Sequence, residues 1–578
     1  MVRKTQRPYR DFSETESGAI RKEWKGHVSV ALVYPNSYFV GMSNLGFQAV
    51  YRLLNEIEHV VCERAFLPEK EAGNSKNVLT IESKRSLTEF DIIAFSISFE
   101  NDYINILKIM QKAGLPLQSA VRGNPHPLVI AGGVACFLNP EPVASFIDCF
   151  LIGEAEVFLK SFFNIYDPGE NRKSCLKKIA MEVPGAYVPE FYKADYHPDG
   201  TLCSFKPVDD VPDKIKKAYS KNLSGIPTCS SILTPHTTFD QTYLIEVSRG
   251  CPHGCRFCSA GYISRPPRFR PILLLEECIE KGAALTNKIG LVGAAVSDLP
   301  GIAGLCKTVD QSNTRISFSS LRAEALVPEL VDTLKQSGVK TATIAPDAGS
   351  ERMRKVINKG IDEKTILNAV RALVSGNIPN IKLYFMIGLP TETMDDVEAV
   401  IDLCVKIKSA FLDESRVKKR IGEITVSINP FIPKPFTPFQ WSSMDSLSLL
   451  NKKIKIIRSG LKRVANIKVQ AENPRKAYIQ ALLSRGDRKV ADILVSACEN
   501  NGNWPKTFKE TAINTDFYIL RERKEDELFP WDFIDHGLHR SYLFNEYKKA
   551  YQNIESPDCP MKSCSICGVC DPEKETDQ

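Results

Sequence analysis

The eight residues CPHGCRFC, Cys251 to Cys258, place three cysteines in a C-x3-C-x2-C pattern just after the apolar run Tyr243 to Val247. Glycines at 250 and 254 loosen the backbone, so that three sulfurs can converge on one point. Soft thiolates suit an iron–sulfur cluster, and a cubane held by three cysteines leaves one iron without a protein ligand. The stretch therefore predicts a 4Fe–4S cluster with one iron open to chemistry.

With Phe257 directly before the third cysteine, the motif resembles that of the radical S-adenosylmethionine (radical SAM) superfamily. The resemblance implies that Cys251, Cys255 and Cys258 hold the catalytic cluster and that Phe257 lies at the cofactor. It implies that the open iron chelates S-adenosylmethionine (SAM), and that an electron from a donor such as ferredoxin or flavodoxin releases a 5'-deoxyadenosyl radical. The other interpretations are structural zinc and three unconnected buried thiols. For zinc, the nearest fourth ligand, His253, lies inside the loop and could not easily close a tetrahedron.

Composition and length bound the class of protein. The chain has 578 residues, of which 43% are hydrophobic and 25% charged, which predicts a globular protein of several domains. A net charge of +6 is too small to indicate a nucleic-acid binder by itself. Seventeen cysteines spread through a chain without an apolar signal segment predict a cytoplasmic location, and the absence of a long apolar run argues against a membrane partner.

The amino-terminal third predicts an arm and a parallel sheet. Residues 1–26 are polar and predict an arm that wraps another domain or stays mobile. Between 27 and 165, apolar strands alternate with helical patterns, which favours a parallel sheet with helices on both faces.

The same stretch, through Leu45-Gly46, the glycine pair at 132–133 and the GEAE segment at 153–156, resembles the cobalamin-binding, flavodoxin-like domain of one class of radical SAM enzymes. The Asp-x-His-x-x-Gly loop of many cobalamin sites does not occur in this sequence. The domain therefore either binds cobalamin without a histidine ligand or has kept only the fold.

The central part predicts a barrel. Residues 166–236 look like a connector with a hairpin at Pro198-Asp199-Gly200. From 237 to 470, six apolar strands alternate with amphipathic helices, and the resemblance implies a partial (β/α)6 radical SAM barrel. The expected strands are Tyr243–Val247, Ile289–Val292, Arg315–Ser319, Thr341–Ala345, Ile381–Ile387 and Glu423–Asn429.

Five residues near the ends of these strands are candidates for binding SAM. Gly293 matches in part the Gly-Gly-Glu turn that holds the cofactor's amino group in relatives. Asp347, Ser350 and Arg352 offer an acid, a hydroxyl and a guanidinium for ribose or carboxylate groups, although Ser350 could instead cap the next helix. Lys382 lies in an apolar run, where a buried lysine needs an anion such as the SAM carboxylate; strand alternation could instead turn it to solvent.

Two further stretches bear on the substrate. The GLPTET turn at 388–393 and the proline-rich stretch after Asn429 are similar to those of methylthiotransferase-like radical SAM proteins. A predicted helix from Asn451 to Lys468 has six basic side chains, which could follow the phosphates of RNA or form a solvated face.

The region 471–578 ends in four closely spaced cysteines. Cys559, Cys564, Cys567 and Cys570 form a C-x4-C-x2-C-x2-C pattern, which predicts a metal site. The spacing suits either a second iron–sulfur cluster or zinc. His536 and His539 could be ligands, or ordinary core or surface histidines.

These features together predict an α/β radical SAM enzyme with a flavodoxin-like domain, a partial barrel and a small cysteine-rich region. If cobalamin binds, methyl transfer to an unactivated carbon is the favoured reaction. The alternatives are sulfur insertion or a related modification of RNA, with the tail site as sulfur donor or electron relay, and a non-enzymatic iron–sulfur scaffold or regulator. The substrate is a small molecule or, in the second alternative, RNA.

Overall fold

A computed structural model of the chain describes residues 12–68, 77–311, 314–319, 321–561 and 564–570. Residues 1–11 of the predicted arm lie outside this range. The rest of the arm packs on the amino-terminal sheet, where the backbone N–H of Ile20 donates to the Tyr51 hydroxyl at 2.9 Å. Within the described ranges, no helix is both long and apolar enough to cross a membrane.

The amino-terminal part is a six-stranded sheet with the order β2-β1-β3-β4-β5-β6, in which only β6 is antiparallel to its neighbour. The order 2-1-3-4-5 is that of flavodoxin-like folds, as predicted. The strands are β1 (Val28–Tyr34), β2 (Val60–Phe66), β3 (Ile92–Ser96), β4 (Leu128–Gly132), β5 (Cys149–Leu151) and β6 (Ala186–Tyr187). The helices are α1 (Tyr38–Met42), α2 (Leu45–Glu56), α3 (Tyr103–Lys112), α4 (Val134–Leu138), α5 (Ala155–Ile165) and α6 (Arg172–Glu182).

Strand β2 was not expected, because charged residues interrupt its apolar run. Arg64 on this strand is fully buried, and its guanidinium binds the carboxylates of Glu16 and Glu82, each at 2.7 Å. Both carboxylates are also almost completely buried. The arm is therefore tied to the sheet by a desolvated ionic network.

The first part of the predicted connector still belongs to the amino-terminal sheet. Helix α6 and edge strand β6 lie beyond residue 165. The predicted hairpin is confirmed as β7 (Tyr192–Tyr196) and β8 (Leu202–Pro207), which pair antiparallel. A short strand, β9 (Ile215–Lys216), follows and pairs with a strand from the end of the chain.

The central part contains two parallel sheets, β10-β13-β14 and β15-β16-β17-β18, beside the small ribbon β11-β12. The six predicted strands are all present, within two residues at each end, as β10 and β13 to β17, and a helix follows each one. The strands are β10 (Tyr243–Glu246), β11 (Ser248–Arg249), β12 (Arg268–Phe269), β13 (Lys288–Val292), β14 (Arg315–Phe318), β15 (Thr341–Asp347), β16 (Asn380–Ile387), β17 (Ile424–Pro430) and β18 (Ile467–Ala471). The helices are α7 (Ala260–Ile263), α8 (Ile272–Ala283), α9 (Ile302–Gln311), α10 (Pro328–Gln336), α11 (Glu351–Val356), α12 (Glu363–Ser375), α13 (Met394–Val417) and α14 (Leu447–Leu461).

The predicted basic helix was too long. Helix α14 ends at Leu461, and the residues from Ile467 form the additional strand β18. One of its six basic residues, Lys453, is buried and paired with Glu392 at 2.6 Å and Asp445 at 2.7 Å. This lysine fixes the turn after β16 and is not available to a phosphate.

The carboxyl-terminal region wraps the other two parts. It contains α15 (Pro474–Arg485), α16 (Val490–Glu499), α17 (Trp504–Glu510), α18 (Asp516–Ile519), β19 (Ile534–Asp535) and α19 (Arg540–Tyr551). Strand β19 pairs with β9, and the side chain of Asn139 after α4 donates to the Gly486 carbonyl at 2.7 Å. The chain end is therefore anchored on the connector and on the amino-terminal sheet.

The buried network of Arg64 generates a stability prediction. Arg64→Ala leaves Glu16 and Glu82 buried without their partner, and breaking a buried ion pair costs about 3–5 kcal/mol. We expect a loss of this size in the free energy of unfolding, measured by urea titration followed by circular dichroism. Lys178→Ala, which removes a surface pair with Glu170, should leave the curve unchanged. An Arg64→Ala curve equal to wild type would contradict the assignment.

Candidate functional site

The three motif cysteines lie in a loop that leaves the barrel after β11 and returns at β12. Gly250 has φ +79°, and a Cβ on it would stand 2.5 Å from the Ser264 carbonyl oxygen, so a side chain does not fit there. The N–H of Cys258 donates to the carbonyl of Cys255 at 3.1 Å. Cys255 is buried, while Cys251 and Cys258 are half-buried.

The thiols influence each other's ionisation. Burial raises the pKa of Cys251 to about 12, and the nearby thiols of Cys255 and Cys258 add to the rise. Burial raises the pKa of Cys255 to about 11, although the Lys359 ammonium opposes it. The pKa of Cys258 is also raised by burial. Without a metal the three groups are thiols at neutral pH, so binding iron must displace their protons.

The residues fit a cluster by donor chemistry and by this mutual proximity. With the side chains as placed, no three His, Cys, Asp or Glu side chains in the described ranges are grouped to hold a metal ion. In a cubane each cysteine binds a different iron, so its sulfurs need not surround one ion. His253 is occupied elsewhere: its Nε2 lies 3.0 Å from Asp298 and its Nδ1 lies 2.8 Å from Asp558. It does not serve as a fourth ligand.

Arg256, inside the motif, anchors the loop from beneath. Its side chain is fully buried and donates to the carbonyls of Val356 at 3.0 Å and Ile554 at 2.7 Å. It also binds the Glu546 carboxylate on α19 at 3.0 Å. One guanidinium thus ties the loop to α11, to α19 and to the segment after α19, a role that sequence reasoning missed.

Two cations not predicted from the sequence act on the cysteines. Lys359, after α11, and Arg322, after β14, both lower the pKa of Cys255 through their charge. Lys359 also binds Asp347 at 2.5 Å. A cavity of about 650 Å³ opens beside these groups and is lined in part by His253, Arg322 and Lys359. Positive charge beside the thiols favours thiolates and an anionic ligand.

The predicted SAM residues after β15 have other partners. Ser350 caps α11, accepting from the N–H of Met353 at 3.1 Å, which confirms the capping alternative. It also donates to Asp396 at 2.6 Å, and Arg352 binds the same carboxylate. These contacts join α11 to α13. Asp347, with φ +62°, is nine-tenths buried and belongs to the cysteine surroundings through Lys359.

Gly293 and Lys382 lie at different ends of their strands. Gly293 follows β13 at its carboxyl end, where its N–H is 3.2 Å from the Ser319 hydroxyl and a Cβ would stand 2.8 Å from Ser248 Oγ. Lys382 is the third residue of β16, five residues from its carboxyl end. Its side chain was expected to be buried but is only half-buried, and its ammonium lies 4.7 Å from the Tyr384 ring centre. Five strand residues span about 16 Å, which separates Lys382 from the carboxyl end of the barrel.

The remaining predicted residues pack around the same region. Phe257 is half-buried against the main hydrophobic core, and its contact with a cofactor stays a prediction. His536 is buried, and its Nε2 lies 2.9 Å from the Phe137 carbonyl. Burial lowers its pKa to about 3, so it is a neutral core histidine, one of the alternatives for this residue. The backbone N–H of His539 donates to Cys567 at 2.9 Å.

The GEAE segment reaches the cysteine loop. Arg249, two residues before Cys251, binds Glu154 at 2.9 Å, Glu156 at 2.6 Å and Glu246 at 3.0 Å. Arg268 on β12 also binds Glu154, at 2.7 Å. Although burial alone would raise it, the arginines hold the pKa of Glu154 below its usual value. We call these five side chains the interdomain clamp, because they join the amino-terminal sheet to both ends of the cysteine loop.

Comparisons with known proteins agree with this architecture. The family described as "Radical SAM proteins, N-terminal" matches residues 46–189, and "Radical SAM superfamily" matches residues 245–404. The uncharacterized protein MJ0966 of Methanocaldococcus jannaschii is 34% identical over 473 residues, 81% of this chain and 90% of that protein.

More distant relatives have functional names. The uncharacterized methyltransferase PH0819 of Pyrococcus horikoshii is 23% identical over 338 residues, 56% of this chain and 68% of that protein. The tRNA-2-methylthio-N(6)-dimethylallyladenosine synthase of Chloroflexus aurantiacus is 28% identical over 180 residues, 28% of this chain and 38% of that protein, in agreement with the predicted likeness to methylthiotransferases. Among solved structures, the radical SAM methyltransferase TsrM of Kitasatospora setae, with cobalamin and a 4Fe–4S cluster bound, has a TM-score of 0.47 and 12% identity over 83% of this chain and 97% of that chain.

The interdomain clamp can be tested by substitution of its central residue. Arg249→Ala leaves Glu156 largely buried without its 2.6 Å partner. We expect faster cleavage between the domains in limited proteolysis and less iron retained after anaerobic reconstitution, because the cysteine loop loses its anchor. Arg416→Ala, which removes an exposed pair with Asp413, should match wild type in both assays. Normal iron retention in Arg249→Ala would show that the clamp does not position the loop.

Proposed function

The chain belongs to the radical SAM superfamily, and we propose that it is a cobalamin-dependent methyltransferase acting on an unactivated carbon. It is an enzyme of a family that uses a 4Fe–4S cluster and SAM. The name of the Pyrococcus horikoshii relative supports methyl transfer. None of the seventeen cysteines, all of which lie in the described ranges, is in a disulfide, which suits the reducing cytoplasm where we place the enzyme.

The main support is that the carboxyl edges of the two sheet systems meet. Glu100, just after β3, binds Lys434, just after β17, at 2.5 Å. Glu154, just after β5, binds Arg249 at the start of the cysteine loop. Because both fold types bind ligands at the carboxyl ends of their parallel strands, a group on the amino-terminal sheet and one on the cysteines would share a single space.

The carboxyl edge of the amino-terminal sheet suits a large ligand with apolar faces. Three apolar side chains after β1, β3 and β4 are exposed there: Phe39 by 47%, Phe99 by 56% and Val134 by 40%. Close by, Asp102 has a buried carboxylate oxygen with no hydrogen-bond partner in the described ranges. Burial raises the pKa of Asp102 to about 6. Exposed apolar surface beside an unsatisfied polar atom is the pattern of a binding site, and it fits a corrin with its amide side chains.

The residues around the cysteines would hold and orient the reactants. When bound, the cluster and SAM supply a 5'-deoxyadenosyl radical and cobalamin supplies the methyl group. Cys251, Cys255 and Cys258 hold the cluster, and the interdomain clamp and Arg256 keep their loop in place. We assign Lys359 and Arg322, and not Lys382, to the anionic end of SAM, because both line the cavity beside the cysteine loop, whereas Lys382 lies near the amino end of β16.

Sulfur insertion into RNA is the second candidate. Its support is the similarity to the tRNA methylthio synthase, together with the four thiols at the chain end. The burial of Lys453 in its ion pairs weakens the basic face on which RNA binding by α14 depends.

The first experiment tests the reaction and the cobalamin site together. Anaerobically reconstituted protein should convert SAM to 5'-deoxyadenosine, and Cys255→Ala should abolish this. Protein from cells grown with cobalamin should show the absorption spectrum of a bound corrinoid. Phe99→Glu should lose that spectrum, because a carboxylate would face the apolar ligand, whereas Val121→Glu, on a 65% exposed valine before β4 in the same domain, should keep it. A corrinoid-free wild type would exclude the methyl-transfer proposal and leave the RNA candidate.

The assignment of the SAM-facing cations is tested by a matched pair of variants. Lys359→Met should weaken SAM binding by about 10- to 100-fold, since a hydrogen bond to a charged group contributes about 1.5–3 kcal/mol. Lys382→Met should bind SAM like wild type. Equilibrium dialysis of reconstituted protein with labelled SAM gives both affinities. The opposite ranking would restore Lys382 as the cofactor residue.

A further inference from the structure

The four cysteines at the chain end lie on one short segment, residues 559–570. Cys564 and Cys570 are paired by an antiparallel backbone bridge. Cys567, which lies between them in the sequence, is buried. Three of the four cysteines thus lie on one closed turn, and Cys559 lies five residues before it; we call these four cysteines the tail site.

The tail site lies directly against the catalytic cysteine loop. The backbone N–H of Cys559 donates to the carbonyl of Pro252 at 2.8 Å, and Pro252 is the neighbour of Cys251. The preceding residue, Asp558, binds His253 at 2.8 Å. A route along the backbone from Cys251 to Cys559 thus crosses one residue and one hydrogen bond.

A second contact joins the two sites on the other side of the loop. The backbone N–H of His539, just before α19, donates to the Cys567 carbonyl at 2.9 Å. Arg265, which follows Cys258 and α7, donates to the Tyr542 hydroxyl on α19 at 3.2 Å and to the Gly261 carbonyl at 2.6 Å. The tail site therefore touches the catalytic loop at Pro252, between Cys251 and Cys255, and is joined through the start of α19 to Arg265, after Cys258.

The tail site can also be reached from outside. Cys559, Cys564 and Cys570 are half-buried, and Ile566, between two of the cysteines, is 66% exposed. A site that is both near the surface and one hydrogen bond from the neighbour of a catalytic cysteine suits the passage of electrons, because tunnelling between centres falls steeply with distance. Zinc has no redox chemistry, whereas four thiolates also suit an iron–sulfur cluster.

We propose that Cys559, Cys564, Cys567 and Cys570 bind a redox-active iron–sulfur cluster that relays single electrons to the catalytic cysteines across the Cys559–Pro252 contact. A one-electron carrier protein loses one electron to the tail site, and the tail site returns to its oxidised state when that electron reaches the catalytic site. His253 and Asp558 are positioning residues that hold the two sites together. This inference rests on the proposed radical SAM function, since it needs a catalytic cluster to be reduced.

The metal content is tested first. Wild type should bind about eight irons per chain and Cys564→Ala/Cys570→Ala about four, if each site holds a four-iron cluster. Cys203→Ala, which removes an exposed cysteine of β8, should match wild type. In Cys251→Ala protein, electron paramagnetic resonance after reduction should show the signal of the tail cluster alone. Zinc in the tail site of anaerobically purified wild type would overturn the proposal.

The relay is tested by the rate at which the catalytic cluster is reduced, followed by stopped-flow absorbance. With reduced flavodoxin as donor, the double cysteine variant should be reduced far more slowly than wild type, whereas dithionite, a small reductant, should reduce both. Asp558→Asn keeps all seven cysteine ligands and should also slow reduction by flavodoxin, while its iron content stays at the wild-type value. Equal flavodoxin rates in wild type and both variants would refute the relay.

These readouts separate the relay from the proposed function. Cluster reduction is observed directly and does not require SAM to be cleaved. If wild type is reduced through the tail site but forms no 5'-deoxyadenosine, the radical SAM reaction fails and the relay stands. If dithionite drives 5'-deoxyadenosine formation and the flavodoxin rates do not differ, only the relay fails.

Discussion

Buried guanidinium groups hold the cysteine loop, and the rest of the site depends on them. A loop that must present three sulfurs to a cluster cannot also form a hydrophobic core of its own. Here Arg249 fixes its start, Arg256 its middle and Arg265 its end, each with several acceptors. Arginine suits this task because its planar fork donates in several directions at once and stays charged when buried. The position of the thiols is thus set by residues that are not ligands.

The same interactions explain why the three parts of the chain act as one unit. The carboxylates that bind Arg249 belong to the amino-terminal sheet, and the acceptors of Arg256 include Glu546 near the chain end. The GEAE segment, which resembles part of a cobalamin domain, is committed through both of its acids to the barrel. The two acids of this segment therefore have a structural role, which is to hold the two domains together whether or not cobalamin binds.

Sequence patterns predicted what depends on periodic burial. The six barrel strands follow from apolar runs, some of which alternate because the strand buries one face, as in β16 and β17. The flavodoxin-like fold of the amino-terminal sheet, whose strands are buried on both faces, was implied by the family resemblance. Strand β2 was missed because Glu63 and Arg64 break its run, and their burial depends on partners far away in sequence. The clamp was missed for the same reason, since nothing in a single sequence links Glu156 to Arg249. The sequence left two roles for Ser350, a helix cap and a SAM-binding residue, because both use the same hydroxyl.

The partner of Lys382 could not be predicted from its neighbours in the sequence. An isolated lysine in an apolar strand needs either solvent or an anion, and sequence alone cannot say which end of the strand meets the cofactor. The structure gives it a half-open place beside Tyr384, while Lys359 and Arg322, on loops with no recognisable motif, act on the cysteines.

The enclosure of the cysteine loop limits how reactants can reach it. The amino-terminal sheet covers it through the clamp, α11 and α19 support it from below, and the tail site lies against Pro252. A cavity of about 650 Å³ opens on the side of the loop that holds His253, and its wall includes Arg322, Lys359 and the tail residue Asp558. Because Asp558 belongs both to this wall and to the contact with His253, the position of the tail also shapes the cavity beside the catalytic cysteines.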